Sequence, residues 1–174
     1  MKNSILALCA FLIPFLSGAQ NFAKYENMKE VDAVVITSKM FKLLTKIDLN
    51  ADDPETQQYI DLIENLQEIR VFTSKQEGVR KQMASDVQSF LKNGTMEELM
   101  RVSSDGKNVK FYYKPGRNDD YVSQLFMFME GQDEKTPVSV ILNITGDINL
   151  SQVSKLAQDF KIPGGEELEN IETN

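Results

Sequence analysis

Tyr121-Val-Ser-Gln-Leu-Phe-Met-Phe-Met-Glu130 is the stretch on which the fold turns. Alternation along a strand places Leu125, Met127 and Met129 on one face and Val122, Phe126 and Phe128 on the other. A strand apolar on both sides belongs at the centre of a sheet with both faces covered, or it lines an apolar patch for a partner. Its neighbours in the chain read the same way. Met96 to Val102, Val109 to Lys114 and Val138 to Thr145 are further strands, separated by turn chemistry at Asp105-Gly106, Pro115-Gly116 and Gly131. Such short links imply an antiparallel meander. Thr95 and Glu98 would also fit a capping box, which makes a short helix the competing reading of the first of these strands.

Upstream, helices alternate with strands. Val31 to Ile36 reads as a first strand, and Ser38 caps a helix bearing Met40, Phe41, Leu44 and Ile47 on one face. After a polar break from Asp48 to Pro54, Glu55 to Leu66 resumes as a helix with Tyr59, Leu62, Ile63 and Leu66 at helical spacing. Ile69 to Thr73 is a second strand. Ser74 and Glu77 then suggest a capping box opening a helix whose stripe is Val79, Met83, Val87, Phe90 and Leu91, closed by Asn93-Gly94. Downstream of the meander, Asn149 caps a last helix with Leu150, Val153, Leu156, Ala157 and Phe160 on its face, and Pro163-Gly-Gly165 stops it. Partly segregated strands and helices predict the α+β class: a largely antiparallel sheet of about five to six strands with helices packed mainly on one face.

The start of the chain carries an address. Lys2, the apolar run Ile5 to Leu16 and the small residues Ser17-Gly-Ala19 match a cleavable signal peptide, cut between Ala19 and Gln20. The apolar run is well short of the roughly 20 residues that span a bilayer. The expected organisation is a signal peptide over 1–19, a lead over 20–30, one domain over 31–162 and an acidic flexible tail over 163–174. Export into the periplasm is expected, with the outer surface or the medium as further destinations.

Cleavage also changes the chemistry. The only cysteine, Cys9, lies in the segment removed. Of the charges only Lys2 is lost, so 19 basic residues become 18 against 26 acidic ones, a net −8. That disfavours nucleic acid and anionic membrane, which demand clustered Lys and Arg. The chain has no histidine. Histidine-dependent nucleophiles, thiol chemistry and ordinary zinc sites are thereby excluded. No residue is assigned a catalytic, cofactor-binding or metal-ligating role, and no cofactor is expected.

The nearest approach to a cation loop is Asp48-Leu-Asn50-Ala-Asp52-Asp53, with oxygens at alternate positions. The position that should be glycine is Asp53, and the one that should supply a bidentate acid is Tyr59. Met127 and Met129 could hold Cu(I) through thioethers, but Leu125 continues their face and methionine is ordinary core filler. The pairs Asp119-Asp120 and Asp133-Glu134 fall in turns, where solvation keeps carboxylates from the split pKa values that acid–base work needs.

Three blocks carry a resemblance: Glu98-Leu-Met-Arg-Val102, Val109-Lys-Phe-Tyr-Tyr-Lys114, and Gly146-Asp-Ile-Asn-Leu-Ser-Gln-Val-Ser-Lys-Leu-Ala157, together with the early strand followed by Met40-Phe41. They resemble the domain-of-unknown-function 4252 family of exported Bacteroidetes proteins, over nearly the whole mature chain. The resemblance implies an envelope protein of a Gram-negative bacterium, with a hint of envelope signalling, and brings no catalytic residues.

What remains is a non-catalytic domain that binds another envelope protein or a peptide. The expected binding patch is Tyr112, Phe126 and Phe128, with Tyr112 alternating against Val109, Phe111 and Tyr113 as the outward aromatic of its strand. Two alternatives are a carboxylate-dependent envelope hydrolase, needing convergent acids in a cleft, and a carrier of a small apolar ligand, needing an internal cavity.

Overall fold

Six extended segments pair into one sheet in the computed structural model, which describes residues 22–44, 54–104 and 106–149. They are β1 (Asp32–Thr37), β2 (Leu66–Ser74), β3 (Glu97–Ser104), β4 (Lys107–Pro115), β5 (Tyr121–Asp133) and β6 (Thr136–Asn149). Their order across the sheet is β1-β2-β6-β5-β4-β3, and every neighbouring pair is antiparallel. β3 to β6 form the expected meander, and Glu97–Ser104 is strand rather than short helix. The helices are α1 (Ser38–Leu44), α2 (Pro54–Asn65) and α3 (Glu77–Leu91), preceded by a 3-10 turn at Ala23–Asn27. The class is α+β.

The sheet is apolar on both sides. On one face, Ile69, Phe111, Leu125, Met127, Leu142 and Ile144 pack with Phe41 of α1 and Leu62 and Ile63 of α2. On the other, Phe72, Phe126, Phe128 and Ile141 pack with Val79, Met83, Val87 and Phe90 of α3 and with Phe22 and Tyr25 of the lead. Of the described helices, α1 and α2 therefore share one face and α3 covers the other. The physical reason is the length of the central strands: thirteen residues in β5 and fourteen in β6 carry apolar side chains to both sides, and one helical layer covers only one.

The central strands outrun their sequence signals. β5 continues through Gly131 to Asp133, and β6 starts at Thr136, so the link is the two residues Glu134 and Lys135, both at positive φ. That is the backbone twist a two-residue hairpin demands, held here without glycine. β6 also runs on to Asn149, which pairs with Tyr121. Gly146 makes this possible. It has a φ of +151°, and a Cβ there would lie 2.9 Å from Leu66 Cα and closer still to the Asn65 carbonyl. Lacking that atom, β6 accepts the abrupt passage from α2 into β2.

Ser74 does not cap α3. The N-cap is Gln76, which makes no side-chain cap. Ser74 instead ends β2, and its hydroxyl donates to the Glu30 carbonyl at 2.7 Å while accepting from the Gln76 N–H at 3.3 Å. It ties the lead to the sheet. Along α3, Val79, Met83, Val87 and Phe90 are buried as their spacing predicts, Leu91 is half-buried, and Gly94 closes the helix at a φ of +70°. On α1 the expected face is rotated: Phe41 is buried, whereas Met40 is exposed. The expected signal peptide, the Asp48–Asp53 string, the expected last helix and the acidic tail lie outside the described residues.

Candidate interaction surface

Phe126 and Phe128 are 0% and 6% exposed, so the expected patch is core. The lead supplies what was missing from that expectation. Phe22 stacks on Phe126 with ring centroids 5.4 Å apart and meets Phe90 edge-on at 5.3 Å, while Phe90 and Phe126 lie 5.0 Å apart. Tyr25 lies 5.8 Å from Phe72. Contacts of this kind are favourable beyond the area they bury. Tyr112 shares this face and is half-buried against the same cluster. Burial, then the charge of Glu98, raises its hydroxyl pKa, with Arg101 opposing.

The lead is anchored by polar contacts that periodicity does not reveal. The Tyr25 hydroxyl donates to the Asp86 carboxylate on α3, and Lys24 Nζ lies 2.5 Å from the same carboxylate oxygen. Burial foremost, then the hydrogen bond and the charge of Asp86, hold Tyr25 far above the ordinary tyrosine range. Arg70 on β2 pairs with Glu68 at 2.6 Å and reaches Glu26 in the lead at 3.1 Å.

With the aromatic face sealed, exposed apolar surface is found elsewhere. The large hydrophobic side chains left exposed among the described residues are Val34 at 52%, Val35 at 40%, Met40 at 48% and Leu43 at 60%. All four fall within ten consecutive residues. Val34 sits opposite Val71 and Val35 opposite Arg70, so β1 presents one valine to each face of the sheet. α1 follows with no intervening residue and adds Met40 and Leu43. β1 is an outermost strand, and its side away from β2 has no strand partner among the described residues.

The other outermost strand, β3, is built differently. A register shift between Glu98 and Met100 breaks its regularity. Arg101 pairs with Glu98 through two hydrogen bonds of 2.7 and 2.8 Å, which lowers the pKa of the Glu98 carboxyl. The Tyr113 hydroxyl donates to Glu97 at 2.7 Å. Charges and bulges are the usual means by which an edge refuses another strand. β1 has neither: its pairing with β2 is unshifted over all six residues, and its one charged residue, Asp32, is at the end.

The remaining sites carry less. Met127 and Met129 are core, packed beside Leu125. Asp133 pairs with Lys75 at 2.7 Å, and Asp119-Asp120 is an exposed turn. An open groove of about 470 Å³ runs past Glu97, Tyr113, Asn118, Asp119 and Tyr121. Beside it Arg117 stacks over the Tyr121 ring at 3.7 Å and reaches Asp147 at 3.3 Å. Among the described residues no group of acids is placed to hold a metal ion, and no helix is long and apolar enough to cross a membrane.

The family model described as Domain of unknown function (DUF4252) matches residues 25–156. The chain belongs to this family. The match starts at Tyr25, so the DUF4252 domain includes most of the lead that closes the aromatic face, together with every strand and helix described. No curated protein and no solved structure matches the chain.

Proposed function

We propose that this DUF4252 protein is an exported, non-catalytic domain of the bacterial envelope that binds a protein partner by strand addition at β1. One observation carries the reading: the exposed large apolar side chains described are concentrated at the sheet edge that lacks protection. A strand laid along β1 gains main-chain hydrogen bonds and buries Val34 on one face and Val35 on the other. The apolar run at Ile5–Leu16 and the small residues before Gln20 support export, and the absence of histidine from the sequence supports binding over catalysis. A place in envelope signalling fits a domain whose chemistry is capture.

A photo-reactive residue at position 35 in the living cell tests this, with one at Ser103 on β3 as the control. Position 35 is expected to give protein adducts, identified by mass spectrometry, and position 103 none. Equal yields from both edges would overturn the reading.

A further inference from the structure

We infer that the strand added at β1 is β1 of a second copy of this chain, paired antiparallel about a twofold axis through Val35. The inference rests on the reading of β1 as a docking edge and names its occupant. Three observations favour self-pairing.

The first is charge. The chain is acidic overall, at −7, and two copies repel. The stretch from residue 29 to 43 is the exception, with Lys29, Lys39 and Lys42 against Glu30 and Asp32. Glu30 precedes the strand and Asp32 begins it, whereas two of the three lysines follow it. Antiparallel pairing therefore brings the acidic end of one copy toward the basic end of the other.

The second is register. A twofold axis normal to the sheet keeps like faces together, so opposed residues must share a face. Centring on Val35 sets Val35 against itself and Val34 against Ile36 of the second copy, twice, with Ala33 against Thr37. Asp32 then falls opposite Ser38, next to Lys39. Centring on Val34 instead would set Asp32 against Ile36 and bury a carboxylate among aliphatic groups, at a cost. The apolar triplet Val34-Val-Ile36 thus selects one register.

The third is closure. Pairing β1 with the β3 edge of another copy would be head-to-tail and would propagate. The charges and register shift of β3 oppose that arrangement. Pairing β1 with β1 uses up the open edge and stops at two.

The contact is small, a six-residue strand with Met40 and Leu43 beside it, as weak, reversible associations are. Sedimentation of the whole chain from about 1 to 200 µM should show the mean mass rising from one chain toward two. Val35→Lys should stay at one chain throughout, with an unchanged melting curve in dilute solution. With Cys9 replaced by Ser, Val35→Cys should form a disulfide dimer under mild oxidation, because its Cα atoms meet within about 7 Å. Val34→Cys and Ala33→Cys should not, since each lies farther than that from its own copy in this register.

A wild-type chain that remains single throughout, or a Val35→Cys yield no higher than that of Ala33→Cys, would overturn the inference. If the chain remains single while position 35 traps a different protein in the cell, self-pairing falls and the docking edge stands. If position 35 traps nothing, both fall.

Discussion

β5 and β1 read alike in sequence and end in opposite situations. Each has apolar side chains on both faces: Phe126 and Phe128 against Leu125 and Met127 in β5, Val35 against Val34 and Ile36 in β1. β5 lies between β4 and β6 under helices on both sides, and its apolar side chains are closed off. β1 lies outermost, and both its valines face solvent. An apolar strand is therefore no guide to its own exposure. Its place in the sheet decides, and that is set by segments far away in the chain.

The comparison breaks most sharply at Phe126. Phe126→Asp puts a carboxylate among Phe22, Phe90 and Ile141. The loss should exceed about 4 kcal/mol, enough to leave the chain unfolded by circular dichroism. A folded variant that had merely lost a partner would return the β5 aromatics to the surface.

A smaller effect is expected where the lead seals that face. Tyr25→Phe removes the hydroxyl bonded to Asp86 and should cost about 1 to 2 kcal/mol in urea unfolding. The pH dependence follows from the same contact. Burial and Asp86 raise the pKa of Tyr25 in the folded chain, so its stabilising contribution is full below the unfolded value of 10.0 and is lost as pH rises toward the folded one. Wild type should therefore lose more stability than Tyr25→Phe as pH is raised through about 10. Parallel losses would mean that Tyr25 is not the group responsible.

The hairpin joining β5 to β6 gives a gain instead. Glu134 and Lys135 both hold positive φ without being glycine or asparagine. Replacing them by Asn and Gly should raise stability by about 0.5 to 1 kcal/mol, read as a higher melting temperature. No gain would mean that the pairing of Lys75 with Asp133 beside the turn depends on the residues replaced.

The smallest effect is expected at β1. Val35→Lys on an edge 40% open should change the stability of dilute protein by less than about 0.5 kcal/mol. Set beside Phe126→Asp, it would separate a docking strand from a core strand in one unfolding experiment. A large loss at Val35 would erase the difference between the two.

Much of the framework was legible locally. The Val79-Met83-Val87-Phe90 stripe announced α3, and the turn residues at Pro115-Gly116 and Gly106 marked the meander. The candidate site was not legible. Nothing near Phe126 in the chain says that Phe22, about a hundred residues earlier, lies on its ring. Ser74 misled for a related reason: its hydroxyl fits a helix cap, but the Glu30 carbonyl, brought close by the lead, competes for it. Met40 misled because the core takes its neighbour Phe41 and leaves Met40 on the outer side of α1.

By itself the sequence determined the type of most described elements though not their ends, the antiparallel character of its second half and the absence of histidine chemistry, because hydrophobic period, turn residues and composition act over a few neighbours or over none. Only the tertiary structure decided which strands are central, which face the lead closes and which strands have a neighbour on one side alone among the described residues. Those outcomes depend on long-range pairing, in which β6, the last strand described, inserts between β2 and β5 and so leaves β1 and β3 at the rims. No local signal encodes that choice.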